Sequence, residues 1–233
     1  MHVKHHHFDV LESTQDRARE FIHQHYELPF LITADTQIAG RGRMGRVWES
    51  PPGNFYGSIA LRGDVSPVRY SEYSFLMALV LRDTIAEFVA AQISLKWPND
   101  VMLDDRKCAG VLIESDGIEN EFLIIGMGVN LYHAPEYAAA LWPREAANAA
   151  RREAFTQRLA ESFDHWHDFY LAEGFGTVRD VWLQHAHALG LQITVKMPGS
   201  ETTGIFEGID EIGSLLLTQG GETIKVRTAD AVV

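Results

Sequence analysis

The chain has 233 residues, 46% of them hydrophobic, so it can bury the core of one larger domain and leave residues for a small second one. A formal net charge of −12 argues against a dedicated nucleic-acid binder, which normally presents a basic face. Cys108 is the only cysteine, which excludes a disulfide framework and a zinc ribbon. Neither a membrane span nor a signal peptide is visible, so we expect a cytoplasmic protein that binds neither DNA nor a membrane.

The N-terminus carries a histidine cluster, His2 and His5 to His7. Because no cysteine or carboxylate follows at a ligand spacing, the cluster is a poor dedicated metal site, although it could bind a metal adventitiously. Phe8 to Leu11 then indicates a short strand.

Ser13 and Asp16 fit the S-x-x-D capping box and predict the start of a helix. Ser13 is therefore either a helix cap or a ligand contact. The two roles are compatible, since the donors at a helix start can also hold a small polar ligand.

After a predicted strand over Leu28 to Thr33, the loop from Gln37 to Trp48 reads QIAGRGRMGRVW. Its arginines, Arg41, Arg43 and Arg46, lie among glycines without an acid. This composition predicts an anion site, because guanidinium groups match carboxylate and phosphate oxygens in pairs. Ordering such a segment costs about 1–2 kcal/mol per residue, so we expect it to be mobile when empty and to close over its ligand. A surface loop without a function is the alternative.

Two familiar glycine motifs are excluded for this loop. Gly40 to Gly45 spells G-x-G-x-x-G, but the following segment with Pro51 and Pro52 cannot open the helix that a dinucleotide site requires. Arg46 and Val47 stand where a P-loop has Lys and Ser/Thr.

The middle of the chain alternates strands with one long helix. The predicted elements are strand Asn54 to Leu61, helix Val68 to Ala91, and strands Ile93 to Lys96, Val101 to Leu103, Cys108 to Glu114 and Glu121 to Asn130. Gly126 and Gly128 lie inside the last strand, where glycines mark the close approach of a ligand or another backbone.

Two charged residues in this region each allow two interpretations. Asp100 ends the segment Lys96-Trp97-Pro98-Asn99-Asp100 and either holds Mg²⁺ through oxygen or simply forms a turn. Lys107 precedes an apolar strand and either points a compact positive charge into a pocket or is solvated.

The last third of the chain predicts helices Arg151 to Leu171 and Thr177 to Ala188. From Leu189 on, the sequence pattern changes. Short strands with glycine turns predict a small barrel that packs on the main domain. These strands are Ile193 to Met197, Thr203 to Ile209, Ser214 to Thr218 and Thr223 to Arg227.

Together the loops supply several cations, a carboxylate and two amides, a set that suits two anionic reactants. A carboxylate that attacks the α-phosphate of ATP needs its repulsion screened and the developing charge neutralised. On this chemistry alone, several nucleotide-dependent ligases stay possible.

Five motifs, in order, resemble those of the biotin protein ligase family. They are G-R-G-R-x-G-R-x-W at 40–48, N-[LF]-Y-x-S at 54–58, K-W-P-N-D at 96–100, K-x-A-G at 107–110 and G-x-G-x-N at 126–130. The resemblance implies an α+β fold: a mixed-sheet, class II synthetase-like biotin/lipoate ligase catalytic domain over residues 1–188 and an SH3-like β-barrel over 189–233. It also implies a short form without a helix-turn-helix domain in front, since the catalytic strand begins at Phe8.

Carried over position by position, the resemblance assigns roles to named residues. Lys107 and Arg43 would be catalytic, and Asp100 would lie near Mg²⁺. The implied biotin contacts are Ser13, Thr14, Gln15, Gln37, Gly40, Arg41, Gly42, Arg43 and Lys107. The implied ATP contacts are Arg43, Arg46, Trp48, Asn99, Lys107 and Asn130. Gln15 stands where family members often have Asn.

The resemblance implies that biotin and ATP form biotinyl-5′-AMP, and that biotin then passes to one lysine of the biotin carboxyl carrier protein of acetyl-CoA carboxylase. A homodimer is possible. The alternatives are a lipoate or octanoate ligase or transferase, whose folds are related, and a non-catalytic biotin sensor.

Overall fold

The computed structural model describes residues 3–63, 69–115, 122–197, 199–227 and 231–232. Its larger sheet has seven strands: β1 (Lys4–Leu11), β2 (Phe30–Gln37), β3 (Phe55–Arg62), β4 (Ile93–Lys96), β5 (Asp100–Leu103), β6 (Arg106–Ser115) and β7 (Phe122–Val129). Their order is β1-β2-β3-β7-β6-β5-β4. Only β1 and β2 pair in parallel among these neighbours, so the sheet is mixed as predicted.

Helix α1 (Thr14–His23) connects β1 to β2 and begins where the capping pattern predicts. The Ser13 side chain accepts a hydrogen bond from the Gln15 backbone N–H, which confirms Ser13 as the N-cap. Asp16 has a different role from the predicted one. Its carboxylate accepts hydrogen bonds from the positively charged Arg19 and Arg41 side chains instead of completing the capping box.

Helices α2 (Glu72–Ala86) and α3 (Ala149–Gln184) pack on each other and cover the sheet. The predicted α2 was too long at both ends, and its predicted first residue, Val68, lies outside the described residues. Gly174 adopts φ 76° and interrupts α3 between the two helices that were predicted there. Aromatic rings fill the space between helices and sheet, for example Phe75 against Trp182 and Phe55 against Phe155.

The C-terminal strands form a separate antiparallel sheet, as predicted. They are β8 (Gln192–Met197), β9 (Ser200–Ile209), β10 (Leu215–Gln219), β11 (Glu222–Val226) and β12 (Ala231–Val232), in the order β11-β10-β9-β8-β12. The turn between β9 and β10 contacts the larger domain at Gly213, whose backbone carbonyl accepts a 2.9 Å hydrogen bond from the Trp97 indole. The domain boundary after residue 188 stays a prediction.

Of the histidine cluster, His5, His6 and His7 lie on β1, where alternate residues face opposite sides, and His2 lies outside the described residues. His6 packs edge-on against Phe21, while His7 lies on the other side. The expectation that no carboxylate accompanies these histidines was wrong, because ligand atoms of His7, Asp9 and Asp35 lie within 4.8 Å of one another. Parallel pairing with β2 brings Asp35 there. Asp35 also forms a 2.6 Å ion pair with Arg152, so its charge is already compensated.

Cys108 is buried on β6, and burial raises the pKa of its thiol to about 12, so the thiol is protonated and unreactive at neutral pH. Within the part of the chain that the structure describes, no helix has both the length and the apolar character of a membrane span.

Candidate functional site

A cavity of about 340 Å³ lies against β6 and β7, a volume typical of small-molecule sites. All five motifs except the one at 54–58 contribute to its wall. The predicted site residues that line it are Thr14, Gln15, Gln37, Arg41, Gly42, Arg43, Arg46, Trp48, Asn99, Asp100, Lys107 and Asn130.

Two predicted biotin contacts do not line the cavity. Ser13 is 3% exposed and serves as the cap of α1. Gly40 is buried beneath the chain that follows it, where an added Cβ would lie 2.4 Å from the Trp48 carbonyl oxygen. Both residues therefore support the site without lining it, because the Ser13 hydroxyl is engaged in the cap and the flap packs against Gly40.

Residues 40–48, which we term the flap, form a short hairpin at the edge of the cavity. Gly42 N–H donates to Arg46 O at 2.8 Å, and Trp48 N–H donates to Gly40 O at 2.9 Å. The hairpin reverses at Met44 and Gly45, with φ 57° and 71°. Ligand-induced closure of this segment stays a prediction.

Side chains attach the flap to both sides of the cavity. The Arg41 guanidinium donates to both carboxylate oxygens of Asp16 on α1, at 2.7 and 2.8 Å. Arg43 donates to Asn99 Oδ1 at 3.2 Å, across the cavity in the Lys96–Asp100 turn. Although Arg41 lines the cavity as predicted, its charge is therefore balanced by a carboxylate of the protein.

Gln37, just before the flap, connects α1 to Ser50, just after it. Its side-chain oxygen accepts from the backbone N–H and the hydroxyl of Thr14, at 2.9 and 3.2 Å. Its amide nitrogen donates to Ser50 Oγ at 3.1 Å. Thr14 Oγ1 also lies 2.8 Å from Ser58 Oγ, so the motif at 54–58 supports the site through this contact.

The two glycines of β7 admit the close approach of side chains, where the sequence predicted a ligand or another backbone. A Cβ at Gly126 would meet Gln15 Cδ at 2.7 Å, and a Cβ at Gly128 would meet Trp48 Cε2 at 2.4 Å. Gln15 therefore lies on one glycine and the Trp48 indole on the other. We term the part of the cavity beside Gln15 and Gly126 the first compartment, and the part beside Trp48 and Gly128 the second.

Lys107 lies beside a carboxylate and an aromatic ring of the cavity wall. Its Nζ lies 2.7 Å from Asp100 Oδ1 and 5.4 Å from the centroid of the Trp48 ring. Lys96 also lines the cavity, and burial is the main reason that its pKa is lowered, with Asp100 opposing the shift. Lysines 96 and 107 with Arg43 and Arg46 outnumber the nearby carboxylates, which suits an anionic ligand.

Sequence reasoning missed several residues of the site. Lys96 belongs to a recognised motif, so its charge at a strand end was a usable signal. Glu114, which contacts Arg41 and Arg19, looked like an ordinary strand residue. Tyr137 is 82% exposed at the cavity wall and lies in an irregular segment without any pattern.

Residues 7–130 match the biotin/lipoate A/B protein ligase family, and residues 188–233 match the biotin protein ligase C-terminal domain. A biotin--[acetyl-CoA-carboxylase] ligase of Paracoccus denitrificans is 39% identical over 199 residues, which are 80% of this chain and 82% of that protein. The bifunctional ligase/repressor BirA of Bacillus subtilis (strain 168) is 31% identical, over 95% of this chain and 71% of that protein.

Among solved structures, the biotin protein ligase from Aquifex aeolicus in complex with biotin and ATP superposes with a TM-score of 0.83. The match covers 99% of this chain and 98% of that one at 22% identity, so it shows the fold.

The chain belongs to the biotin/lipoate A/B protein ligase family and carries the C-terminal domain of the biotin protein ligases. The predicted α+β fold with an SH3-like C-terminal domain is confirmed. The predicted class of enzyme, an ATP-dependent biotin ligase, is also confirmed.

Proposed function

We propose that the protein condenses biotin with ATP to biotinyl-5′-AMP and pyrophosphate, and then transfers biotin to one lysine of the biotin carboxyl carrier protein of acetyl-CoA carboxylase. The observation that carries this proposal is the convergence of motifs from four distant parts of the chain on one cation-rich cavity. The relative from Paracoccus denitrificans, named as a biotin--[acetyl-CoA-carboxylase] ligase, supports the choice of carrier.

Biotin occupies the compartment beside Gln15 and Gly126, and the nucleotide lies towards Trp48 and Gly128. The first compartment is lined by amide and small groups, which suit a neutral polar ring. The second offers a flat indole, on which a base can stack. Arg43, Arg46, Asn99 and Asn130 provide polar groups around the nucleotide compartment.

Lys107 is the central electrostatic catalyst of the first step. The biotin carboxylate attacks the α-phosphorus, a bond to phosphorus forms, and pyrophosphate leaves with the electrons of the broken P–O bond. Negative charge accumulates on the non-bridging oxygens during this exchange. A lysine charge held between Asp100 and the Trp48 ring stabilises that negative charge more than it stabilises the separate reactants.

Asp100 fits the role of a Mg²⁺ ligand. Its carboxylate lines the cavity and pairs with Lys107 through Oδ1, and magnesium is usually held by one or two carboxylates together with substrate phosphates. When bound, Mg²⁺ would supply charge neutralisation on the phosphates.

The second step requires a protected intermediate. The carrier amine attacks the acyl carbon of the mixed anhydride, an amide bond forms, and AMP leaves. Water could perform the same attack, so the intermediate must be covered until the carrier arrives. The flap, attached to Asp16 on one side and Asn99 on the other, is the element that covers it.

An ATP–pyrophosphate exchange assay with biotin, lipoate and octanoate in parallel tests the first step. We expect exchange with biotin alone. Exchange with lipoate or octanoate would favour the related ligases, and the absence of exchange with any acid would favour a biotin sensor. Light scattering of the full chain with and without biotin and ATP tests whether a homodimer forms. The cytoplasmic location stays a prediction.

A further inference from the structure

Four charged side chains connect the flap to the body of the domain. Arg41 contributes from the flap, Asp16 and Arg19 from α1, and Glu114 from β6. Arg41 binds both oxygens of Asp16, and its Nη2 lies 3.5 Å from Glu114 Oε2. Arg19 bridges the same two carboxylates, at 3.1 Å to Asp16 and 3.0 Å to Glu114.

The geometry distinguishes this group from an ordinary surface ion pair. Each arginine contacts both carboxylates, so positive and negative groups alternate in a ring of four side chains from the flap, α1 and β6. Their side chains are only 25–38% exposed. Paired hydrogen bonds from a guanidinium to a carboxylate fix orientation as well as distance.

The backbone shows what this contact controls. Arg41 lies between Gly40 and Gly42. The Gly40 carbonyl and the Gly42 N–H form the hydrogen bonds of the flap hairpin, and Arg41 itself forms a β-bridge with Val47. Fixing Arg41 therefore fixes the base of the hairpin, and with it the position of Trp48. Within the described residues, the hydrogen bond from Arg43 to Asn99 is the matching attachment on the opposite side of the cavity.

We infer that Asp16 and Glu114 are positioning residues that hold Arg41, and through it the flap, over the cavity, so that they set how long the acyl-adenylate is retained. The inference rests on the proposed function for the identity of the retained intermediate. In this account Arg41 acts as a latch, and its guanidinium is committed to protein carboxylates during catalysis.

Limited trypsin digestion of the ligand-free full chain tests the latch without any activity. The variants Asp16→Asn and Glu114→Gln keep every arginine of the flap, so the cleavage sites are unchanged. We expect both variants to be cut after Arg43 and Arg46 about threefold to tenfold faster than the parent, because cleavage follows the population of the open flap. Glu20→Gln is the matched control, since it removes an ion pair with Arg17 on the same helix, remote from the flap.

A second measurement follows the intermediate. We expect Asp16→Asn and Glu114→Gln to release more free biotinyl-5′-AMP per carrier labelled, by about threefold to tenfold, while the rate of adenylate formation stays within about twofold of the parent. Asp16→Glu should restore retention. Rising salt should increase leakage from the parent more than from Asp16→Asn, because the contact is electrostatic.

A double-mutant comparison separates the latch from a direct biotin contact. In the latch account, Arg41→Gln and Asp16→Asn have similar effects, and the double variant leaks no more than either alone. A raised KM for biotin in Arg41→Gln with normal kinetics in Asp16→Asn would overturn the inference, as would trypsin rates equal to the control. If the parent makes no adenylate, the proposed function fails while the trypsin experiment still decides on the latch.

Discussion

Lys107 is the residue on which the chemistry depends most. Removal of its charge leaves the two compartments intact but removes the stabilisation of the developing negative charge. We therefore predict that Lys107→Gln lowers the rate of biotin-dependent pyrophosphate exchange about 10²–10³-fold, with a much smaller change in biotin affinity. Lys196→Gln, an exposed lysine on β8, is the control. An exchange rate within threefold of the parent would remove Lys107 from the mechanism.

Gly126 and Gly128 allow the two compartments to be tested separately. A methyl group at Gly128 would lie 2.4 Å from the Trp48 ring, so we predict that Gly128→Ala raises the KM for ATP at least tenfold. At Gly126 it would meet the end of the flexible Gln15 side chain, so Gly126→Ala should change chiefly the KM for biotin. Gly176→Ala, on an open face of α3, is the control. Equal effects on both substrates would contradict the division of the cavity.

For individual residues, the sequence indicated membership of a site but not the partners of each side chain. Lys107 and Asp100 could be assigned to a site but not to each other, because their ion pair depends on the register of β5 and β6. Asp16 had a convincing local explanation as part of a capping box. The arginines that bind its carboxylate instead are Arg41 of the flap and Arg19 on the next turn of α1. Only the folded chain shows that these contacts replace the capping box.

Among the helices and strands, α1 carries a carboxylate, Asp16, whose ion pairs should contribute measurably to the free energy of unfolding. The hydrogen bond from Arg41 is the main cause of a lowered pKa for Asp16, with Arg19 acting in the same direction and Glu114 completing the group. A lowered carboxyl pKa adds stability above the ordinary value of 3.8, and that stability is lost as the pH falls through the folded-state pKa.

We therefore predict that Asp16→Asn reduces the free energy of unfolding by about 0.5–1 kcal/mol between pH 5 and 7, and that the difference shrinks as the pH falls below the ordinary value. Urea titrations of the parent and the variant at pH 7, 5 and 3 measure it. A difference that grows towards pH 3 would contradict the assigned pKa direction.

Elements with strong periodic patterns were predicted well, and their ends were not. The helix start at Ser13 followed from local chemistry, whereas α2 ends at Ala86 although apolar residues continue to Val89. Those later residues pack on the core from a turn, which satisfies the same pattern without a helix.

The flap was predicted as an anion loop, but not as a hairpin. Its pairing depends on Gly40 fitting under Trp48, and this contact leaves no periodic pattern in the sequence.

At the scale of the whole molecule, the C-terminal sheet supports the cavity. Trp97, in the turn that carries Asn99 and Asp100, is 4% exposed and donates to the Gly213 carbonyl of the C-terminal sheet. We predict that Trp97→Phe lowers the free energy of unfolding by about 1–3 kcal/mol, because it removes a buried hydrogen bond and leaves the carbonyl unpaired. Urea unfolding measures the change, and a stability equal to that of the parent would show that the contact contributes nothing.

The same variant reports on the connection between the domains. Release of the turn should raise the KM for ATP more than the KM for biotin, since Asn99 and Asp100 belong to the nucleotide side. Sequence texture predicted that a small sheet follows residue 188, but not that this sheet contacts the Lys96–Asp100 turn. That contact joins residues 116 positions apart, and no local pattern encodes it.

We propose that this cavity activates biotin with ATP and delivers it to a carrier lysine. Mass spectrometry of a biotin carboxyl carrier domain incubated with the protein, biotin, ATP and Mg²⁺, with Lys107→Gln in parallel, tests both steps together. We expect the mass of one biotinyl group on a single lysine, dependent on ATP and nearly absent with the variant. A carrier that stays unmodified, or one that gains lipoate in place of biotin when both acids are supplied, would contradict it.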